Sequence, residues 1–398
     1  MQKRQQRASK QHVWGMGKVL LAALMVVALT AFVTACGSSD STDSTTASGD
    51  SSGASEGSAD LTAFEQEVDQ IVAKRSEKQT RTPPKDGPKG AKDKTVYIVA
   101  CSQALEGCQR ESVTAQEAGE ALGWNMTLFD TESKPDKMVE GVQRAIDNNA
   151  DGIIVQAIDM AALAAPLEKA KDSGAEVVCF ACVNSNEIAA QVIPSEQSFY
   201  DDGYAAAAKM YQNTDGHPRI LVISNKETGV IVKRLEGTKK FVEDCQAAGG
   251  DCEIVDEQFF LYSNLTTAIP ELVSVSLQQH PDTNAIWMGF DSSSEFVQQG
   301  VDQAGKSKEE VGLYGFDGNK ANIAAIREGS HQVASMAGPF EWVGWAEVDA
   351  LNRVFQGEEP VDEIVVAKLI TPENAPQSDI YDGEVDYKQG YLDVWGVN

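Results

Sequence analysis

The sequence is poor in several residue types that catalytic and nucleic-acid-binding proteins rely on. It holds four histidines in 398 residues. His12 falls in the amino-terminal leader, His217 and His280 each precede a proline, and His331 opens a strand-like run, so no two share a helix face. His-Glu-x-x-His does not occur, and neither does the Gly-x-Gly-x-x-Gly spacing that cradles a pyrophosphate. The reading is therefore not an enzyme, with no catalytic residue, no cofactor and no metal. Basic residues are scarce as well, 33 Lys and Arg against 60 Asp and Glu, for a net charge of -27. The first 35 residues contain five basic and no acidic residues, so the remainder is more acidic still. Such a surface repels nucleic acid and anionic membranes, which removes both as partners of the body. A long apolar run is also missing. The longest, Val19 to Val33, has about 15 residues, short of the ~20 that hold a helix in a bilayer.

What is present at the amino terminus fits export. Lys3, Arg4, Arg7, Lys10 and Lys18 precede the apolar run, and Val33-Thr34-Ala35-Cys36-Gly37 follows it. A basic start, a short apolar stretch and small residues at a cleavage point make a secretory signal over 1–35. The cysteine directly after the small residues resembles the lipobox of bacterial lipoproteins, which implies that Cys36 is lipidated and that the membrane is reached through this lipid alone. Residues 36–60 are rich in Ser, Gly and Asp with almost no large apolar residue, the composition of a flexible tether. In 61–93, Leu61, Phe64, Val68, Ile71 and Val72 recur at helical spacing, and a Pro- and Gly-containing linker follows. Whether this stretch packs on the body is left open by its sequence.

At this length the chain can hold two core-bearing domains. Residues 94–130 begin the body with a strand, Thr95 to Cys101, then a helix from about Gln109 to Leu122, with Val113, Ala118, Ala121 and Leu122 as its apolar side. A second strand ends at Asp130. Strand, helix, strand over about 30 residues predicts a parallel βαβ unit, whose loop after the first strand, Ser102–Gln109, lies where ligands bind in such sheets. Apolar runs begin near 95, 125, 152 and 176, and again near 219, 254, 285 and 312. Helix-period stretches fill the gaps at about 135–148, 160–173, 229–248, 264–280 and 293–304. Two α/β lobes with parallel sheets and a cleft between their strand ends are expected.

The segments ADGIIVQAID (150–159), AKDSGAEVV (170–178), TGVIVKRLEGTKKF (228–241), QQHPDTNAIWMGFD (278–291) and VGLYGFDGNKANIAAIREG (311–329) carry a resemblance. Over about 94–370 the body resembles the type I periplasmic binding proteins, the ribose- and galactose-binding receptors of ABC importers. The resemblance implies two Rossmann-like lobes joined by a multi-strand hinge. Lobe one would take 94–194 and 338–368, lobe two 195–337 and 369–398, with Ile193-Pro194-Ser195 and Ala337-Gly338-Pro339 as hinge strands. It further implies a monomer that hands a small neutral ligand to a membrane permease. A ligand-presenting sensor is the alternative use of the same lobes.

Carried over residue by residue, Asp317 of Gly-Phe-Asp-Gly stands where the family's carboxylate meets ligand hydroxyls. Its other reading is a cap on the helix starting near Asn319. The family's Asp-Arg pair is replaced by Ala181-Cys182, and its second Arg by Val232, with Arg234 two residues on. Its Asn gives way to Phe290 before Asp291, and its Gln near the last hinge to Gly338. Aromatic residues stand instead: Phe180, Tyr262, Phe290, Phe340 and Trp342. The expected ligand-binding set is Ser102, Gln103, Gln109, Cys182, Arg234, Tyr262, Phe290, Asp291, Asp317, Phe340 and Trp342. A cleft with few forked polar groups and several rings should favour a ligand with an apolar face over free ribose, galactose or glucose.

Six cysteines follow Cys36, an even number for an exported chain. Cys245 and Cys252 flank a turn and are expected to pair. Cys101, Cys108, Cys179 and Cys182 remain open between disulfides, a metal site and a redox Cys-x-x-Cys.

Overall fold

The computed structural model describes residues 53–183, 189–361 and 366–397. The signal, Cys36 and most of the tether lie outside the described residues. Among those described, no helix is long and apolar enough to cross a membrane.

The body is α/β with two parallel-dominated sheets, as the alternation of apolar runs and helical stretches indicates. The first sheet uses β1 (Thr95–Ala100), β2 (Asn125–Asp130), β3 (Gly152–Gln156), β4 (Glu176–Phe180) and β5 (Gln191–Ile193) in the order β2-β1-β3-β4-β5, all parallel. The second uses β6 (Arg219–Ser224), β7 (Glu253–Phe259), β8 (Ala285–Met288), β9 (Gly312–Asp317), β10 (Gln332–Ala337) and β11 (Lys368–Ile370) in the order β11-β10-β9-β8-β6-β7, with only β11 antiparallel. The central strands are apolar along their whole length because helices cover both faces of each sheet. Ile98, Ile153, Ile154, Ile286 and Trp287 are fully buried.

In lobe one, α2 (Glu106–Ala121), α3 (Pro135–Asp147) and α4 (Ala164–Ser173) cover the first sheet. Val113, expected on the buried side of α2, is 49% exposed, and the buried face is Glu111, Ser112, Thr114, Ala115 and Ala118. The small residues on that face let α10 (Phe340–Phe355) come close, and a Cβ on Gly344 would sit 2.6 Å from the Ala115 nitrogen. Lobe two packs α5 (Glu196–Asn213), α6 (Gly229–Ala247), α7 (Leu265–Gln279), α8 (Ser294–Ala304) and α9 (Lys320–Glu328) on the second sheet. The α5–α6 crossing needs Gly203, where a Cβ would lie 1.7 Å from the carbonyl oxygen of Arg234.

The chain passes between lobes at Ile193-Pro194-Ser195 and at Ala337-Gly338-Pro339. The carboxyl end differs from the sequence expectation, which put all of 369–398 on lobe two. β11 joins the second sheet, but α11 (Tyr387–Trp395) returns to lobe one, where Trp395 stacks on Trp345 of α10 at 5.5 Å and Lys388 pairs with Glu117 of α2. The flat ring of Trp345 gives the helix its seat, meeting Tyr387, Tyr391 and Trp395 along one face.

The segment before the body is ordered. Helix α1 (Gly53–Ser76) begins inside the stretch read as tether. Phe64 meets Tyr211 and Phe241 at 5.5 and 5.3 Å, which seats α1 on lobe two, and Arg75 pairs with the buried Asp202 of α5 at 3.1 Å. The linker beyond it lies on lobe one. There Arg353 donates to the Asp86 carbonyl, Asn352 accepts from the Ala91 amide, and Trp124 donates to the Ala91 carbonyl.

Candidate functional site

The carboxyl ends of the two sheets face each other, and the cavity between them is small, about 70 Å³. Lobe one supplies Leu105 from the loop after β1, Gly107 and Cys108 from the first turn of α2, Ala157 after β3, Phe180 and Ala181 at the end of β4, and Phe340 from α10. Phe180 and Phe340 meet edge to face at 5.3 Å. Lobe two supplies Phe199 from α5, Thr228, Val230, Ile231 and Arg234 around the start of α6, Tyr262 after β7, Phe290 and Ser292 after β8, and Asp317 at the end of β9.

The polar groups are few and gathered on lobe two. The Arg234 guanidinium donates to Asp317 Oδ1 at 2.9 Å and to the Gly289 carbonyl at 3.2 Å. It lies over the Phe199 and Phe316 rings at 5.4 and 4.7 Å, which holds its plane fixed. Its Nε is buried and has no hydrogen-bond partner among the described residues. A buried, unsatisfied charged donor is costly, and the guanidinium group that carries it belongs to a residue lining the cavity. Asp317 does not cap α9, whose N-cap is Asn319 without a side-chain cap bond. Its backbone has φ +95, a conformation residues with side chains rarely adopt. Ala157 and Ala181, also on the cavity, have φ of +49 and +51. Backbone of this kind clusters where a site over-determines its shape. Tyr262 and Thr228 share a hydroxyl hydrogen bond of 2.8 Å, and burial pushes the Tyr262 hydroxyl up to about 12, so it keeps its proton at neutral pH.

Two side chains of α2 reach across the cleft mouth. Glu106 of α2 accepts from the Lys320 amide at the start of α9, at 2.7 Å. Arg110 of α2 donates to the Gly318 carbonyl at 3.0 Å while its other edge grips Glu341 at 2.7 and 2.9 Å. Both tie lobe one to the β9–α9 turn, so the lobes are closed on each other.

Of the residues expected at the site, Arg234, Tyr262, Phe290, Asp317 and Phe340 line the cavity. The others do not. In the loop after β1, the Ser102 carbonyl accepts from the Leu105 amide, and this turn buries Ser102 while Gln103 and Gln109 face an outer groove shared with Glu106 and Lys320. Cys182 is buried in the lobe-one core and bonded to Cys179, and its neighbour Ala181 takes the cavity position. Asp291 points behind the wall, accepting from the Gly318 and Asn319 amides, Ser335 Oγ and Gln332 Nε2 at 2.8–3.2 Å, and so shapes the turn that presents Asp317. Burial and nearby Asp317 push its carboxyl up to about 7, against the lowering pull of Ser335, Gln332 and the Asn319 amide. Trp342 lies two residues, about 200°, round α10 from Phe340. It therefore faces α11, stacking on Tyr387 and donating to Tyr391 Oη at 3.1 Å.

Leu105, Gly107 and Cys108 fall in the loop Ser102–Gln109 expected to face ligand but were not singled out, and Ala157, Ala181, Phe199, Thr228, Val230, Ile231 and Ser292 were missed. Thr228 and Ala157 follow strand ends, a usable signal. Phe199 sits on a helix and gives none.

Six cysteines form three disulfides, Cys101–Cys108, Cys179–Cys182 and Cys245–Cys252, with Cα separations of 6.0, 5.9 and 6.1 Å. No thiolate remains among them for a metal. Cys179 and Cys182 are buried at a strand end instead of opening a helix, unlike a redox Cys-x-x-Cys. Two motif-like strings also carry no site. Gly300–Ser307 has phosphate-loop spacing but runs along α8 and past its carboxyl end, and Gly53–Gly57, a Gly-x-Ser-x-Gly, lies within α1.

The profile described as "Periplasmic binding protein domain" matches residues 102–359. The chain belongs to the periplasmic binding protein domain family. The ribose import binding protein of Bacillus subtilis (strain 168) is 21% identical to this binding protein over 252 residues, 62% of this chain and 76% of the relative. A 5-methylthioribose transporter solute binding protein from Thermotoga lettingae, solved with 5-methylthioribose, has TM-score 0.65 at 18% identity and covers 80% of this chain and 100% of its own. An ABC transporter solute binding protein from Bacillus halodurans with bound myo-inositol has TM-score 0.62 at 19% identity, covering 73% and 97%. At these identities the structures establish the shared fold. The family consists of extracytoplasmic solute-binding proteins, which bind and do not transform their ligands.

Proposed function

We propose that this binding protein captures a small neutral, sugar-like molecule with an apolar face and delivers it to an ABC importer. The observation that carries this reading is the Arg234–Asp317 pair set in a cavity whose lining is mostly apolar and aromatic. The pair offers a donor and an acceptor to neighbouring hydroxyls and presents no net charge to an ionic ligand. The rings and aliphatic side chains accept a face without hydroxyls, and a ligand hydroxylated all round would lose water there without replacement. Solved relatives carry myo-inositol and 5-methylthioribose, one a ring polyol and the other a pentose with a methylthio group. A thermal-shift screen of pentoses, hexoses, inositols, nucleosides and thiosugars tests the reading. It fails if unmodified ribose, galactose or glucose alone stabilises the protein.

The basic leader, the apolar run and the Val-Thr-Ala-Cys junction support a lipoprotein held to the outer face of the membrane through Cys36. Cys36→Ser should accumulate as uncleaved precursor without incorporating labelled fatty acid, and normal maturation of that variant would refute the anchor. We propose that the body works as a monomer whose lobes open about 193–195 and 337–339.

A further inference from the structure

The lobe-one wall of the cavity is almost wholly enclosed by disulfides. Leu105, Gly107 and Cys108 belong to the loop closed by Cys101–Cys108, and Phe180 and Ala181 are the two residues between Cys179 and Cys182. Of the lobe-one lining, only Ala157 and Phe340 lie outside these two loops. The wall residues themselves offer little to fix a loop, being aliphatic, aromatic or glycine. The backbone around them is held instead. The Cys108 carbonyl accepts from Gln156 Nε2 at 2.5 Å, the Cys101 carbonyl from the Ser133 amide and Thr131 Oγ1 at 2.7 Å each, and the Ala181 amide donates to Ile193 at 3.0 Å. The third disulfide, Cys245–Cys252, closes the turn between α6 and β7 and contributes nothing to the cavity. The lobe-two wall, which carries the polar groups, has no covalent brace.

We propose that Cys101, Cys108, Cys179 and Cys182 are positioning residues of the ligand site. Their two disulfides preform the apolar wall in the unliganded protein, so that ligand does not have to order it on binding. The inference rests on the proposed site and deepens it: apolar side chains make no directional bonds, so a wall of them keeps its shape only if the backbone is held from outside. The four cysteines are buried, 9% exposed or less, which suits a permanent brace better than an exposed redox switch. Preorganisation of this kind adds affinity by removing ordering cost at the moment of binding.

The test compares three double variants, C101A/C108A, C179A/C182A and C245A/C252A, each judged by calorimetric affinity for 5-methylthioribose and for myo-inositol, by melting temperature, and by amide exchange of the unliganded protein. Either wall variant should lose about tenfold or more in affinity, and C245A/C252A less than about twofold even if its melting temperature falls as far. Amides of 102–108 or 180–182 should exchange faster only in the matching variant. Wild-type affinity in both wall variants, or an equal loss in C245A/C252A, overturns the proposal. The two loops are independent, so one variant that does not fold leaves the other decisive. If wild type binds neither probe, the ligand reading is what has failed; exchange then decides the brace, and unchanged exchange in the wall loops rejects it.

Discussion

Lobe one meets the ligand space with Leu105, Ala157, Phe180 and Ala181, and lobe two meets it with Thr228, Arg234, Tyr262 and Asp317 beside its own apolar Phe199, Val230, Ile231 and Phe290. The first wall is apolar and its backbone is cross-linked. The second carries charge and hydroxyls, held by hydrogen bonds and ring stacking. The proposed function assigns the two walls different tasks: lobe one sets shape, and the polar groups of lobe two read hydroxyls. Closing the lobes then brings a directional surface against a non-directional one, and Arg110 and Glu106 fasten the rim.

The sharpest way to break this division is at Asp317. Asp317→Asn keeps the shape and an acceptor for Arg234 but removes the charge. It should weaken binding by about 1.5–3 kcal/mol, the range for hydrogen bonds to a charged group. Calorimetry with the best ligand from the screen checks this, and unchanged affinity would move recognition off lobe two. On the other wall, Phe180→Ala should weaken binding by only about 1 kcal/mol, by loss of ring contact. It should do so more for ligands with an apolar substituent than for those without, a difference read from paired titrations. An equal loss for both would mean that the lobe-one wall does not discriminate.

Much of the fold was legible because buried parallel strands write themselves as continuous apolar runs. β1, β3, β6, β8 and β9 all stand where such runs begin. β5 and β11, three residues each, are too short to leave a pattern. The site was legible where a motif fixes a residue at a strand end, as for Asp317 and Phe290. It was not legible where the direction of a side chain depends on a cross-link or a helix phase. The Cys101–Cys108 loop turns Leu105 inward and Gln103 outward, and a step of two residues takes Trp342 away from the cleft. Val113 misled because α2 buries its small and polar residues against α10, leaving a valine outside.

The smallest expected effect lies behind the lobe-one wall. Glu111 and Glu347 are fully buried on the facing helices α2 and α10, and burial raises both carboxyls above their ordinary 4.5. The folded state therefore holds protons that the unfolded state releases. This stabilising contribution is complete below about pH 4.5 and fades as pH rises through the raised folded values. The double variant E111Q/E347Q should melt with a flatter pH profile than wild type between about pH 5 and about pH 8. Parallel profiles would show that the pair carries no linked proton. Either result leaves lobe two untouched, which sharpens the comparison of the walls.

The most direct test of the division between walls is a pair of ligands that differ at C5, methylthio in one and hydroxyl in the other: calorimetric affinity for 5-methylthioribose against ribose. On the proposed function both would present hydroxyls to Arg234 and Asp317, and only the first would present a methylthio group to Leu105, Phe180 and Phe340. Burial of that group predicts tighter binding of 5-methylthioribose by about tenfold or more. Ribose binding as tightly or more tightly would contradict an apolar, shape-setting lobe one.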